Sequence, residues 1–219
     1  MKGRRGLLCV FVAAALVATG VAWAASPTKE KIAYTAAGQA KAKAEVLRRS
    51  DLPGQWNGGR RKPDVSSTMP CSYKPKQNDL VLIGAAETDW RQPGFQVSSE
   101  AQVLRTAAMV QRDWQRTILA PQVVPCLRQG FEKALGSGAT LVSFGPVGSP
   151  HLAKLSQAFR AVFDVKSGSS AVPVEIDILA LGSGRNELTL TLTGLVATKA
   201  TLRAEEARLG RRLAGRMHP

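Results

Sequence analysis

Cysteine and histidine are scarce in this sequence, with three of the first and two of the second in 219 residues, and aromatic side chains make up only 5% of it. Each shortage removes a class of chemistry. A nucleophilic thiol needs a general base, normally histidine, and a zinc site needs Cys and His at short spacing. Neither Cys71 nor Cys126 has a Cys or His within five residues, and the two histidines are His151 and the penultimate His218. The stretch "GSPHL" brings Ser149 near His151 without the G-x-S-x-G elbow of a serine hydrolase, so His151 reads as a loop residue. "GSG" at Gly182 to Gly184 is too short to cradle a phosphate and lies between strand-like runs, where a turn is expected. No metal, no cofactor and no catalytic residue is expected.

Long apolar runs are also lacking, except at the N-terminus. "MKGRRG" supplies Lys2, Arg4 and Arg5, "LLCVFVAAALVATGV" is uncharged, and Ala22-Trp23-Ala24 has the small-x-small form read by signal peptidase. Residues 1–25 are therefore expected to be a signal peptide cleaved after Ala24 or Ala25. The alternative is an N-terminal anchor, because Leu7 to Ala25 is about long enough to span a bilayer. A lipobox would need cysteine where Ala25 or Ser26 stands. The expected location is extracytoplasmic, either secreted or tethered to the outer face of the plasma membrane. Residues 26–50 read as a basic lead-in and helix, and 51–219 as one globular domain.

Cys9 belongs to the apolar run, which leaves Cys71, in "MPCSYKP", and Cys126 for the folded part. Two thiols in one domain of an exported protein are usually bridged, so a Cys71–Cys126 disulfide is expected, stabilising by roughly 4 kcal/mol in the chain-entropy view.

The net charge of +14 is unevenly spread: Lys29 to Lys76 carries net +7, Gln77 to Thr198 is neutral, and Lys199 to the end carries net +4. A nucleic-acid reader gathers its cations on a docking element among aromatics. Here they sit in the arm and the last helix, and export removes the usual partner, so no nucleic acid is expected. The bland reading of these cations is a solvated surface. The sharper one is attraction to anionic envelope lipid or polymer, with Arg60, Arg61 and Lys62 as the densest cluster.

The Ala- and Lys-rich "TAAGQAKAKAEVLRRS" predicts a helix, and "DLPGQWNGGRRKPD", with Pro53, Gly54, Gly58, Gly59 and Pro63, predicts a loop. "DLVLIGAAET" suits a strand. Val97, Ser99, Ala101 and Val103 alternate as a strand to about Leu104, and a helix is expected from about Thr106, with Val110, Trp114 and Ile118 on its apolar stripe. "PQVVPCLRQGFEKALGSG" predicts a second helix ended by Gly136, and "ATLVSFGPV" a strand. Residues 152–165 fit helix or strand. Val172, Val174, Ile176 and Ile178 alternate with polar residues, as do Leu188, Leu190 and Leu192 with threonines, predicting a β-hairpin with one buried and one polar face. Leu202, Leu209, Leu213 and Met217 mark a closing helix.

The succession "AEVLRRSDLPGQW", "CSYKP", "LVLIGAA", "VLRTAAMVQRDW", "PCLRQG" and "GRNELTLTLTG" before a terminal helix resembles exported sensor-like domains of actinobacteria. These are the extracellular domain of PknH-type receptor kinases and the LpqN-type envelope proteins. The resemblance implies a single α+β domain, an antiparallel sheet packed with helices in a PsbP-like α/β sandwich, with a pocket for an unidentified ligand.

Among the remaining residues, Glu175 and Asp177 share a strand face and read as its solvent side. Trp114 reads as core, whereas Trp56 and Trp90 flank loops and are candidates to line a ligand site. A non-catalytic ligand-binding or interaction domain of the cell envelope is thus expected, its partner an unknown small ligand or protein. The alternative is an envelope hydrolase or transferase whose carboxylates only the tertiary structure brings together.

Overall fold

The computed structural model describes residues 30–65, 71, 73–168 and 170–217, so the expected leader at 1–25, Cys9 and His218 lie outside the described residues. In chain order the elements are β1 (Lys31–Ile32), α1 (Ala36–Glu45), β2 (Asn57–Arg61), β3 (Val81–Gln92), β4 (Phe95–Leu104), α2 (Ala107–Thr117), α3 (Val123–Leu135), β5 (Ala139–Val147), β6 (Leu155–Ser167), β7 (Ser170–Ser183), β8 (Asn186–Leu195) and α4 (Lys199–Ala214). They form an α+β fold around one open sheet in the order β1-β3-β4-β8-β7-β6-β5, with β2 also pairing to β3. Among the described residues only the β1–β3 pairing is parallel. No helix among the described residues is long and apolar enough to cross a membrane.

Local chemistry sets the helix ends. Thr35 caps α1 by accepting from Gly38 N at 3.0 Å, and Thr106 caps α2 by accepting from Met109 N at 3.2 Å. The α2 start therefore falls where the alternation of β4 ends. Gly136 stops α3 with φ of 54°, a left-handed value that glycine adopts without steric cost. A Cβ on Gly38 would collide with the backbone of Ile83, and one on Gly84 with the backbone of Gly38, so these glycines let α1 rest directly on β3.

Helices cover both faces of the sheet. On one face, Ala42 and Val46 near α1 and Leu202, Leu209 and Leu213 of α4 pack on Val97, Ala101, Leu179, Leu181, Leu188 and Leu190. On the other, Val123, Leu127 and Phe131 of α3 pack on Phe159, Phe163, Ile176 and Ile178, while Val110 of α2 meets Leu80, Leu82 and Leu104.

This double cover corrects four sequence expectations. The register pairs Ile178 with Thr191 and Asp177 with Leu192, so Val174, Ile176 and Ile178 of β7 face away from Leu188, Leu190 and Leu192 of β8 and the hairpin has no single polar side. Glu175 and Asp177, expected at the solvent side, are only 3% and 1% exposed because α4 covers them. "NGGRR", expected within a loop, is the edge strand β2, paired from Asn57↔Arg91 to Arg61↔Glu87. Trp90, expected beside a loop, lies inside β3. The ambiguous 152–165 stretch contributes most of β6.

Candidate functional site

Cys71 and Cys126 are joined Sγ to Sγ, with Cα atoms 5.3 Å apart across 55 residues of sequence. The bridge ties the segment before β3 to α3. Tyr73 Oη donates to Arg116 O at 2.7 Å, and Arg116 Nη1 reaches Lys76 O at 2.6 Å and Asp79 Oδ1 at 2.7 Å, so the same segment is also stitched to α2. These hydrogen bonds from Arg116 hold the Asp79 carboxyl at about 2. Cys71 and Tyr73 thereby anchor this segment to both helices.

The candidate ligand tryptophans are core residues. Trp56 donates from Nε1 to Pro53 O at 2.8 Å and packs edge-on to Phe95 at 5.9 Å, and Trp90 is 8% exposed in the same cluster as α4. Neither lines the cleft or the cavity described next. His151 is exposed, and Ser149 Oγ is engaged with Ser156 Oγ at 2.8 Å.

Arg60, Arg61 and Lys62 meet at a cleft. β1 ends its pairing at Leu82 and β2 begins its own at Glu87, so neither strand covers the outer edge of β3 at Ala85 and Ala86. The gap is a cleft of about 360 Å³. Ile32, Tyr34, Val65, Ala85 and Ala86 supply apolar walls, and Lys43 of α1 joins Arg60, Arg61 and Lys62 as its cations. Ile32 and Tyr34 are 53% and 43% exposed, large for apolar side chains beside such a charge cluster. Arg61 is spoken for: it lies 2.9 Å from Asp89 Oδ2 and 3.9 Å from Glu87 Oε1. Lys43, Arg60 and Lys62 have no ion-pair partner among the described residues.

Two nests of carboxylates lie on opposite faces of the sheet. Under α4, Arg160 Nε is 2.6 Å from Asp177 Oδ1 and 3.2 Å from Glu175 Oε1, and Arg203 Nη2 is 3.1 Å from Glu175 Oε1. Buried Glu206 completes this group, its carboxyl pushed up to about 7 by burial and by the neighbouring Asp177.

Under α2 the composition differs. A cavity of about 40 Å³ is lined by Glu30, Gln77, Glu100, Asp113, Glu187 and Thr189 among others, with no Lys or Arg in its wall. Glu187 shares a hydrogen bond with Asp113, and burial together with that neighbouring charge raises Glu187 well above the ordinary range. Burial also lifts Glu100 to about 7, and burial together with the charges of Asp113 and Glu100 lifts Glu30 to about 7. Gln77 Nε2 donates to Asp113 Oδ1 at 3.2 Å, and Gln102 Nε2 to Glu100 Oε1 at 2.9 Å. Among the described residues no three His, Cys, Asp or Glu side chains converge as a metal-ligand set.

Sequence reasoning missed this second nest. One signal was available: Asp113 sits beside Trp114 and one turn after Val110, a charged residue on the buried stripe of an amphipathic helix.

No family model matches the chain, and neither does any curated protein. Among solved structures it is similar to the extracellular domain of PknH from Mycobacterium tuberculosis, with a TM-score of 0.39 and 11% identity, covering 81% of this chain and 96% of that one. It is also similar to LpqN, involved in cell envelope biogenesis of Mycobacterium tuberculosis, with a TM-score of 0.29 and 14% identity, covering 75% of this chain and 86% of that one. These are the two kinds of domain to which the sequence resemblance pointed. At such distances, function has to be read from the chain's own residues.

Proposed function

We propose that this protein is a non-catalytic, extracytoplasmic binding domain of the bacterial cell envelope, and that the cleft between β1 and β2 holds anionic envelope lipid or polymer. The observation that carries this reading is the pairing of apolar walls with three cations that pair with no carboxylate among the described residues. Buried or bonded arginines explain themselves structurally, whereas Lys43, Arg60 and Lys62 beside exposed Ile32 and Tyr34 suit an amphiphile with an anionic end. The volume of about 360 Å³ falls within the range of ordinary ligand sites. Extracytoplasmic placement is supported by the Cys71–Cys126 pair, a bond that persists in oxidising compartments, and by the leader-like pattern of residues 1–25.

The carboxylate nest under α2 favours the rival reading, a hydrolase or transferase, since raised carboxylates in a cleft are what acid–base catalysis employs. Size weighs against it. A cavity of about 40 Å³ has room for on the order of three water-sized groups, too little for the reacting bond of a glycan or peptide and its flanks.

Cosedimentation with phosphatidylglycerol and phosphatidylcholine vesicles tests the proposal. Each cation near an anionic bilayer contributes roughly 1 kcal/mol, and the attraction fades beyond a Debye length of about 8 Å at physiological salt. The protein should pellet with the anionic vesicles at low salt and release at high salt. Replacing Lys43, Arg60 and Lys62 by glutamine, with Arg61 left on Asp89, should abolish this binding. Equal pelleting with neutral vesicles, or no effect of the triple replacement, would return these cations to a merely solvated surface.

A further inference from the structure

The cavity under α2 differs from an ordinary acidic patch in what its buried acceptors do. Gln77 is 2% exposed, and its Nε2 is used on Asp113 while its Oε1 has no hydrogen-bond partner; Glu187 Oε1 is likewise buried and without a partner. A buried acceptor left without its hydrogen bond is destabilising, so a wall with two such oxygens is matched to a donor that the described residues do not supply. The charges around it have one sign. Glu30 comes from the residue before β1, Glu100 from β4, Asp113 from α2 and Glu187 from β8. Glu87 and Asp64 act on Glu100 with the same sign, and Arg116, the cation that acts on Asp113, is committed to Asp79.

We infer that this cavity is a binding site for the ammonium group of a small primary amine. The fit is one of donors to acceptors: an R–NH₃⁺ head carries three N–H donors and no acceptor, and the wall offers Gln77 Oε1, Glu187 Oε1 and the carboxylates of Glu30 and Glu100. A cavity of about 40 Å³ accommodates the head and one or two carbons, and Glu30, Glu100 and Thr189 are only half-buried, so the rest of the amine can project to solvent past them. Trp114, Ile118 and Leu188 form the apolar part of the wall, on which the first methylene can rest. A hydroxyl or a neutral amide would meet the oxygens without meeting the charge. A quaternary ammonium would meet the charge without donating to the oxygens.

Binding must displace protons. Carboxyls that burial holds neutral near pH 7 become favourable as carboxylates once a cation sits among them, so an amine that enters should release protons to solvent.

The probe is methylammonium, titrated calorimetrically into the full protein at pH 7 in two buffers that contain no primary amine and differ in ionisation enthalpy. Tetramethylammonium serves as the equally charged ion without N–H donors. The expected result is saturable methylammonium binding at least ten-fold tighter than tetramethylammonium binding, with an apparent enthalpy that differs between buffers as proton release requires. Glu187→Gln and Gln77→Met should each weaken it ten-fold or more. Glu30→Gln at the half-buried rim, which leaves Gln77, Asp113 and Glu187 untouched, should weaken it about three-fold and serves if the other variants fail to fold. No saturable heat with methylammonium, equal affinity for the two cations, or undiminished binding in the variants that fold would overturn the assignment.

Discussion

Arg203, Arg208, Arg212 and Arg216, on and just beyond α4, and Lys43, Arg60 and Lys62 at the β1–β2 cleft contribute the same kind of charge to the sequence and are used in opposite ways. Arg203 reaches Glu175; Arg208 donates to Asp51 O at 2.8 Å; Arg212 and Arg216 donate to Asp51 Oδ1 at 3.0 and 2.6 Å, and Arg216 also to Val46 O at 3.0 Å. Asp51 is a buried carboxylate in the turn after α1, so these arginines fasten the C-terminal helix to the N-terminal part of the domain. Lys43, Arg60 and Lys62 fasten nothing among the described residues. Net charge by segment does not distinguish the two; the presence of a carboxylate or a backbone carbonyl for each side chain to hold does.

The sharpest way to break this distinction is to remove a cation that holds buried acids. Arg160→Met should cost about 3–5 kcal/mol in urea unfolding, because Asp177, at 1% side-chain exposure, would lose its ion-pair partner and Glu175, at 4%, would be left with Arg203 alone. A loss under about 1 kcal/mol would mean that these acids are solvated after all, as the strand alternation alone suggested. Next in size is Asp51→Ala, which removes charge-assisted hydrogen bonds from two partly exposed arginines and the Arg48 N–H; about 2 kcal/mol is expected from the same measurement.

The response to pH separates the two kinds of acid. Burial alone would raise Asp51, but bonds from Arg216, the Arg48 N–H and Arg212 outweigh it and hold the carboxyl below its ordinary 3.8. Its contribution is therefore present above that value and lost as pH falls through the depressed one. Burial pushes Glu30, Glu45, Glu100 and Glu206 up to about 7 from 4.5. Their contribution is full below 4.5 and lost as pH rises towards 7. Thermal unfolding followed from pH 3 to 8 should thus show greatest stability near pH 4–5 and a decline on both sides, and Glu100→Gln should flatten the alkaline decline. A melting temperature that rises steadily to pH 8 would contradict the burial assigned to these groups.

The smallest stability effect is expected at the cleft. Lys43→Gln, Arg60→Gln and Lys62→Gln should each stay within about 0.5 kcal/mol, since none forms an ion pair among the described residues. His151→Ala, at an exposed loop position, should do the same. A large destabilisation from any of the three cleft replacements would move that cation into the structural class.

Much of the fold was legible because it is written locally. The end of alternation at Leu104 followed by the Thr106 cap, the Gly136 stop after α3 and the Leu202, Leu209 and Leu213 stripe of α4 each lie within one element. What stayed hidden depends on distant chain. β2 has two glycines and no β-branched residue, and exists because the outer edge of β3 offers it a ladder. Glu175 and Asp177 look solvent-facing until Arg203, 28 residues after Glu175, arrives with α4. The cavity under α2 draws Glu30, Gln77, Glu100, Asp113 and Glu187 from across the sequence, and no spacing rule connects them. Arg60, Arg61 and Lys62 were visible as a cluster, but only the structure separates Arg61, held by Asp89, from its two neighbours.

The reading of the cleft is tested most directly by asking whether its apolar wall touches lipid. Tyr34→Trp places a fluorophore beside Ile32, while Trp56, Trp90 and Trp114 remain buried, so the difference from the parent spectrum reports on the cleft. In phosphatidylglycerol vesicles whose acyl chains carry bromine, the added emission should be quenched at low salt, recover at high salt, and be unaffected by brominated phosphatidylcholine alone. Cosedimentation with the anionic vesicles without quenching of the Tyr34→Trp emission would contradict the account, because the cations would then be holding the protein to a charged surface with the cleft empty of lipid.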